Sequence, residues 1–387
     1  MNVDVTHRLL VRIAAVAACV LPIVASSAGP AAAAPALGPG GAPAIVVPAG
    51  VTAAVAVYDR STGTFTEQRD TALQVRAASV VKLLIALDYL WNLGPDYTVP
   101  AADRTRFDAM LRGSDDAAAS AFWSRGGGAA IVTRMVGRLG LVNTAPPPAG
   151  YPGYWGYVAL SAADTVTIYR YILDSAPARV RTLIMDNLRA ATRCASDRYE
   201  QYFGIPEAFT KPWAIKQGWS GFGTPPPTVC GAVAAAGAAD ASASAAAIDL
   251  TSGALHSTGT VGAGDRAIVV VFTLHPAGTS LVTARNALTA VTRSLRVPGA
   301  AAAAPSLWVG TWGSGVRVRT GPDTATAPVG TVPTGGDVRV DCQRRGAEVV
   351  AGGYRNDWWA HLPEFGGYMT NIYVRTPGNT IPGVPEC

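Results

Sequence analysis

Lysine is almost missing from this 387-residue chain. Only Lys82, Lys211 and Lys216 occur among 31 basic residues, so its cations are written as arginine. The net charge is +5 and no dense Lys/Arg run exists, which removes the electrostatic footprint of a nucleic-acid binder. Histidine is equally scarce. Beyond His7 there are His256, His275 and His361, far apart, and the cysteines Cys194, Cys230, Cys342 and Cys387 match no zinc spacing. No metal site is expected. No cofactor is expected either, since a phosphate loop ending in Gly-Lys-Ser/Thr is absent. There is no Gly-x-Ser-x-Gly nucleophile elbow, because Gly218-Trp219-Ser220-Gly221 runs on into Phe222. Past the N-terminus no apolar run is long enough to cross a bilayer.

The N-terminal segment has a specific layout. Arg8 and Arg12 precede an apolar run from Ile13 to about Ser26, and small residues follow in "GPAAAAPA". This reads as a secretory signal peptide, residues 1–34, cleaved near Ala34. The run is too short for an anchor and no basic cluster follows it. Val16-Ala17-Ala18-Cys19 has the lettering of a lipidation site but lies mid-run. The expected location is secreted, extracellular or associated with the cell wall. Removal of the signal leaves four cysteines, an even count that in an exported chain suggests two disulfides. Three pairings are open, and the domain division below favours Cys194–Cys230 with Cys342–Cys387.

Residues 35–50 are rich in Pro, Ala and Gly and read as a linker. Over 51–298 the periodicity predicts a hairpin around Ser61-Thr62-Gly63, then a helix from about Val80 to Trp91. A helical block over 101–139 is broken at Gly113-Ser114 and at Gly126-Gly127-Gly128. Two more helices start near Ser161 and Ala178. Strands are expected at "PWAIKQGW", "ASAAAIDL", "ALHSTGTV" and "RAIVVVFTL", and a last helix at "SLVTARNALTAVTRSLR". The fold class is therefore α+β: one antiparallel sheet covered by helices plus an all-helical lobe. A second Ala-rich linker, 299–306, leads to a small all-β domain, 307–387, which holds four of the nine tryptophans.

Chemistry is suggested by where the rare lysines stand. Ser79-Val80-Val81-Lys82 places a hydroxyl and an amine on one helix face. A serine is a poor nucleophile until a base takes its proton, and arginine cannot serve as that base near neutral pH. Ser114-Asp115-Asp116 follows at a helix break, and Lys216-Gln217-Gly218 on a strand. These three signatures in this order resemble Ser-x-x-Lys, Ser-x-Asn and Lys-Thr-Gly of class A β-lactamases and penicillin-binding proteins. The resemblance covers about residues 51–297 and implies a β-lactamase-like serine acyl-transfer fold. It implies Ser79 as nucleophile, Lys82 as proton acceptor, Ser114 as proton relay and Lys216 as electrostatic support. It also implies substrate contacts at Asp116, Gln217, Gly218 and Trp219, with an oxyanion hole from the amides of Ser79 and Trp219. Three departures stand out: Asp116 replaces Asn, Gln217 replaces Thr or Ser, and the loop 141–160 contains no acid to activate a deacylating water. Acylation is thus expected and efficient β-lactam hydrolysis is not. The alternative is a degenerate enzyme kept as a wall-binding protein.

From about Val316 to Val374, "VRVRTGPDTATAPVGTVPTGGDVRV", "NDWWAHL" and "GGYMTNIYV" resemble a bacterial SH3 domain of the cell-wall type. That resemblance implies peptidoglycan or its peptides as partner, with Tyr354, Trp358 and Tyr368 as a candidate aromatic platform. Strand alternation sends Trp358 and Trp359 to opposite faces, so at most one of them meets a ligand.

Overall fold

A computed structural model of the chain describes residues 45–226, 230 and 248–387. The expected signal peptide, residues 1–34, lies outside them. The chain opens with β1 (Thr52–Asp59), β2 (Thr64–Arg69) and β3 (Val75–Arg76), then a 3₁₀ turn, Ala78–Val81, that runs directly into α1 (Lys82–Trp91). The helical lobe continues with α2 (Ala101–Arg112), α3 (Asp116–Arg125) and α4 (Ala130–Leu139). The chain returns through β4 (Ala159–Leu160), α5 (Ala162–Arg170), α6 (Ala178–Arg189) and α7 (Ile205–Ala208) to β5 (Trp213–Ser220), β6 (Gly253–Val261), β7 (Ala267–His275) and α8 (Leu281–Arg293). Ser161 caps α5 by accepting the amide of Asp164, as its position in the sequence suggests.

The main sheet is antiparallel with order β2-β1-β7-β6-β5. Early hairpin and late strands meet because β1 pairs with β7 over its whole length. Every residue of β1 after Thr52 is buried, since helices cover both faces. Ala54 and Ala56 join the core shared with α1 and α5, while Val55 and Val57 join the core under α8. That is the period of two expected of a strand. The strand expected at "ASAAAIDL" is corrected in part. Residues 243–247 lie outside the described set, and Ile248–Leu250 are not strand but pack as a small cluster with Ala159.

The C-terminal region is all-β. It comprises β8 (Leu307–Gly310), β9 (Val316–Arg319), β10 (Pro328–Val332), β11 (Asp337–Val340), β12 (Cys342–Ala351), β13 (Tyr354–Leu362) and β14 (Gly367–Thr370). They form a five-stranded sheet, β10-β9-β14-β13-β12, and a β11-β8 pair. Its core is aliphatic: Val318, Val340, Ala360, Leu362 and Met369. This region is keyed into the first. The indole of Trp308 donates to the buried Glu207 carboxylate, and the Arg285 guanidinium lies 4.9 Å from the Trp308 ring centre. The segment 299–306 is itself bonded to α7, with Ala303 N donating to Ala208 O at 2.9 Å. The structure pairs Cys194 with Cys230 and Cys342 with Cys387. Among the described residues, no helix is long and apolar enough to cross a membrane.

Candidate active site

Ser79 sits in the 3₁₀ turn that precedes α1. In such a turn side chains three residues apart eclipse, so Ser79 and Lys82 stack more directly than on an α-helix. Lys82 Nζ donates to Ser79 Oγ at 2.9 Å. The same ammonium reaches Ser114 O at 2.5 Å, Ser114 Oγ at 3.2 Å and Asp116 Oδ1 at 2.6 Å. Lys216 Nζ, from β5, donates to Ser114 Oγ at 2.8 Å. Ser114 Oγ therefore lies between two amines. Ser79, Lys82, Ser114 and Lys216 are all buried.

Backbone strain accompanies this cluster. Ala78, just before Ser79, has φ +44° and Ser114 has φ +55°. For non-glycine residues such conformations cost about 1–3 kcal/mol and persist only where the surroundings impose them. Gly218 answers a different need. A Cβ there would lie 3.1 Å from Ala77 O, 3.2 Å from Val80 Cγ2 and 3.3 Å from Ala78 Cβ. Its missing side chain is what lets the turn carrying Ser79 close onto β5. Because β5 is the open edge of the sheet, this approach faces its backbone toward the turn.

Burial pushes the Lys82 ammonium below its ordinary value, and the Asp116 carboxylate pulls in the opposite direction. Burial pushes Lys216 well below, and the neighbouring Lys82 adds to that shift. Asp115, by contrast, is structural: it caps α3, accepting Ala118 N at 2.7 Å.

Ser79 and Asp116 open onto a cleft of about 480 Å³ whose wall also includes Trp155, Tyr157, Asp197 and Trp219. Three of these, Trp155, Tyr157 and Asp197, carry no motif in the sequence. Trp155 comes from the acid-free loop, and its ring centre lies 4.7 Å from Lys82 Nζ. Asp197 accepts the Trp219 indole N–H at 3.0 Å, and burial raises its pKa. Its loop is closed by the Cys194–Cys230 disulfide and by Ala195 N donating to Tyr199 O. The signal for this loop in the sequence was only the cysteine.

Two predicted assignments are corrected. Gln217 does not face the cleft. Alternation along β5 turns it away from Lys216, and its amide donates to Gln201 O at 3.1 Å and Phe203 O at 2.7 Å. Tyr354, Trp358 and Tyr368 do not form one platform. Tyr368 pairs with His361, their rings 5.0 Å apart, so register puts it on the opposite face of the sheet from Trp358. Tyr354 instead lines a separate groove with Trp312, Asn371 and Arg375. Among the described residues, one trio, Asp341, Cys342 and His361, has metal-like spacing, but the Cys342 sulfur is spent in a disulfide.

No family model matches the chain. It is 39% identical over 175 residues to the protein named "Putative lipoprotein LppW" from Mycobacterium bovis and from Mycobacterium tuberculosis. That stretch is 44% of this chain, and the chain spans about half, 54%, of the length of these curated relatives. Among solved structures it is similar to PBP-A, with a TM-score of 0.46 and 17% identity over 65% of this chain and 90% of that one. It is similar also to the class A β-lactamase of Mycobacterium abscessus, with a TM-score of 0.43 and 18% identity over 63% and 92% of the two chains.

Proposed function

We propose that this chain is a secreted serine hydrolase of the β-lactamase and penicillin-binding-protein type. It acts by acyl transfer on a D-amino-acid peptide or β-lactam amide in the cell envelope. The observation that carries this reading is the buried Lys82 amine 2.9 Å from Ser79 Oγ, with Ser114 Oγ bridging to Lys216. Lys82 in its neutral form takes the Ser79 proton as Oγ attacks the amide carbonyl. The proton passes by way of the Ser114 hydroxyl to the leaving nitrogen, the C–N bond breaks, and an ester on Ser79 remains. The backbone at Ser79 and Trp219 stabilises the developing oxyanion. The loop that lays Trp155 over Lys82 carries no acid to activate a deacylating water, so the ester is long-lived. Export fits the N-terminal segment and the lipoprotein name of the relatives. The C-terminal β region, which resembles an SH3 domain, supplies the wall contact. The test is incubation of the mature protein with a fluorescent penicillin: a label on the wild type that vanishes in Ser79→Ala supports the reading, and no label at long times and high ligand overturns it.

A second reading, a degenerate wall-binding protein, is favoured by one contact. Asp116 at 2.6 Å holds Lys82 toward its charged form, in which it cannot act as base. Wild-type protein that pellets with purified cell walls yet never takes up the label would select this reading.

A further inference from the structure

The relation between charge and lining in the cleft is unlike that of a site built for a carboxylate. Among the described residues, no arginine, lysine or histidine belongs to its wall. Lys82, Lys216 and Arg76 lie beneath the wall: the first is already paired with Asp116, the second is held toward neutrality by burial, and the Arg76 guanidinium is spent on the carbonyls of Ser220 and Ser252. The strand position expected to contact the substrate, Gln217, is turned inward. What the wall does present is two carboxylates, Asp116 and Asp197, among aromatic faces. Tyr154 and Tyr157 are stacked at 5.2 Å, and Tyr199 and Trp219 meet at 5.9 Å beside Asp197. Trp155 already receives one ammonium, that of Lys82, on its ring face. Aromatic faces and a carboxylate around a partly desolvated space are the chemistry that holds an organic ammonium.

We infer that the cleft recognises a substrate bearing a cationic amine close to the amide it cleaves, with Asp197 as the residue that selects it. This rests on the acyl-transfer reading for the word substrate, but the ammonium site can be tested without acylation. A charged hydrogen bond of about 1.5–3 kcal/mol corresponds to roughly a tenfold to hundredfold preference.

Three penicillins that differ at one carbon make the comparison: benzylpenicillin, ampicillin with an added ammonium, and carbenicillin with an added carboxylate. Labelling of Ser79 is followed by intact-protein mass spectrometry at about pH 6.5, where an α-amino group is charged. The expected order is ampicillin fastest by at least about tenfold and carbenicillin slowest, with the spread shrinking in high salt and collapsing in Asp197→Asn. In parallel, the full-length Ser79→Ala protein is titrated with benzylammonium, benzyl alcohol and phenylacetate by ligand-observed NMR, and benzylammonium binds best. Equal labelling rates for the three penicillins, or equal binding of the three small ligands, overturn the inference and leave acyl transfer standing. Benzylammonium binding without any label on the wild type does the reverse: the cation site stands and acyl transfer falls. A preference that survives Asp197→Asn removes Asp197 from the role.

Discussion

Asp116→Asn is the substitution that most directly separates a working base from a disabled one. Lys82 and Asp116 are 2.6 Å apart, the amine wholly buried and the carboxylate side chain 59% exposed. In water, two unit charges at that distance attract by ~1.6 kcal/mol. Solvent around Asp116 and the ordering of the side chains reduce this toward the range of surface pairs, so about 1 kcal/mol is a fair figure. Asp116 favours the charged form of Lys82, so its removal lowers the Lys82 pKa further and enlarges the neutral fraction at every pH below it. One kcal/mol is roughly a fivefold gain in that fraction. The asparagine oxygen can still accept from Nζ, which preserves the position of the amine. The assay is the second-order rate of Ser79 acylation by benzylpenicillin, measured from pH 5 to 9 by intact-protein mass spectrometry. The acid limb of the profile moves to lower pH, and rates on that limb rise about fivefold. A limb that stays in place, or moves to higher pH, would refute the view that Lys82 is the base and that Asp116 restrains it.

Gly218→Ala pushes the turn of Ser79 off β5 by a few tenths of an ångström, because all three contacts at 3.1–3.3 Å belong to that turn or its flanks. Acylation falls roughly tenfold, since a 1 Å misplacement costs about a hundredfold, while the thermal midpoint changes little; an unchanged rate means the close approach is not needed. Glu207 is fully buried and held at about 7 rather than the usual 4.5, whereas buried His256 is held at about 4 rather than 6.5. Glu207 binds more protons folded than unfolded, so it adds stability as pH falls from 7 to 4.5; His256 removes stability as pH falls from 6.5 to 4. Each effect is on the order of 3 kcal/mol, and Asp337, raised to about 6, and His275, lowered to about 4, oppose one another in the same way, so wild-type melts are nearly flat between pH 4.5 and 6.5 and Glu207→Gln makes the protein acid-sensitive there; parallel profiles would contradict the pairing. Replacing Cys342 and Cys387 by serine opens a loop 45 residues long and costs up to ~4 kcal/mol in urea unfolding, with acylation retained under native conditions. Loss of acylation in the folded double variant would show that the C-terminal sheet acts on the site.

Much of the fold was legible because its signals are local. Ser61-Thr62-Gly63 turns between two β-prone runs, Ser161 caps its helix, and Gly113-Ser114 breaks the helical block where the structure also breaks it. Even the cluster was legible: a chain that writes its cations as arginine kept lysine at 82 and 216, and both amines converge on Ser114. A one-residue alternation defeated the same logic at Gln217, because the motif gives a residue's place along β5 but not which neighbours its face will meet. The aromatic platform failed for the same reason. Tyr354, Trp358 and Tyr368 are suitable residues, yet the register of β14 on β13 sends Tyr368 to the face opposite Trp358, and Tyr354, four residues along β13, lines a separate groove. Trp155 and Asp197 carry no local mark at all. They reach the cleft through a loop laid over Lys82 and a second loop closed by a disulfide. The sequence by itself determined most of the elements and the cluster of Ser79, Ser114 and the two lysine amines, since periodicity, caps and the rarity of lysine are properties of the chain. Only the tertiary structure decided the electrostatics of the cleft, because which carboxylates and rings share a desolvated space depends on packing between segments far apart in the chain.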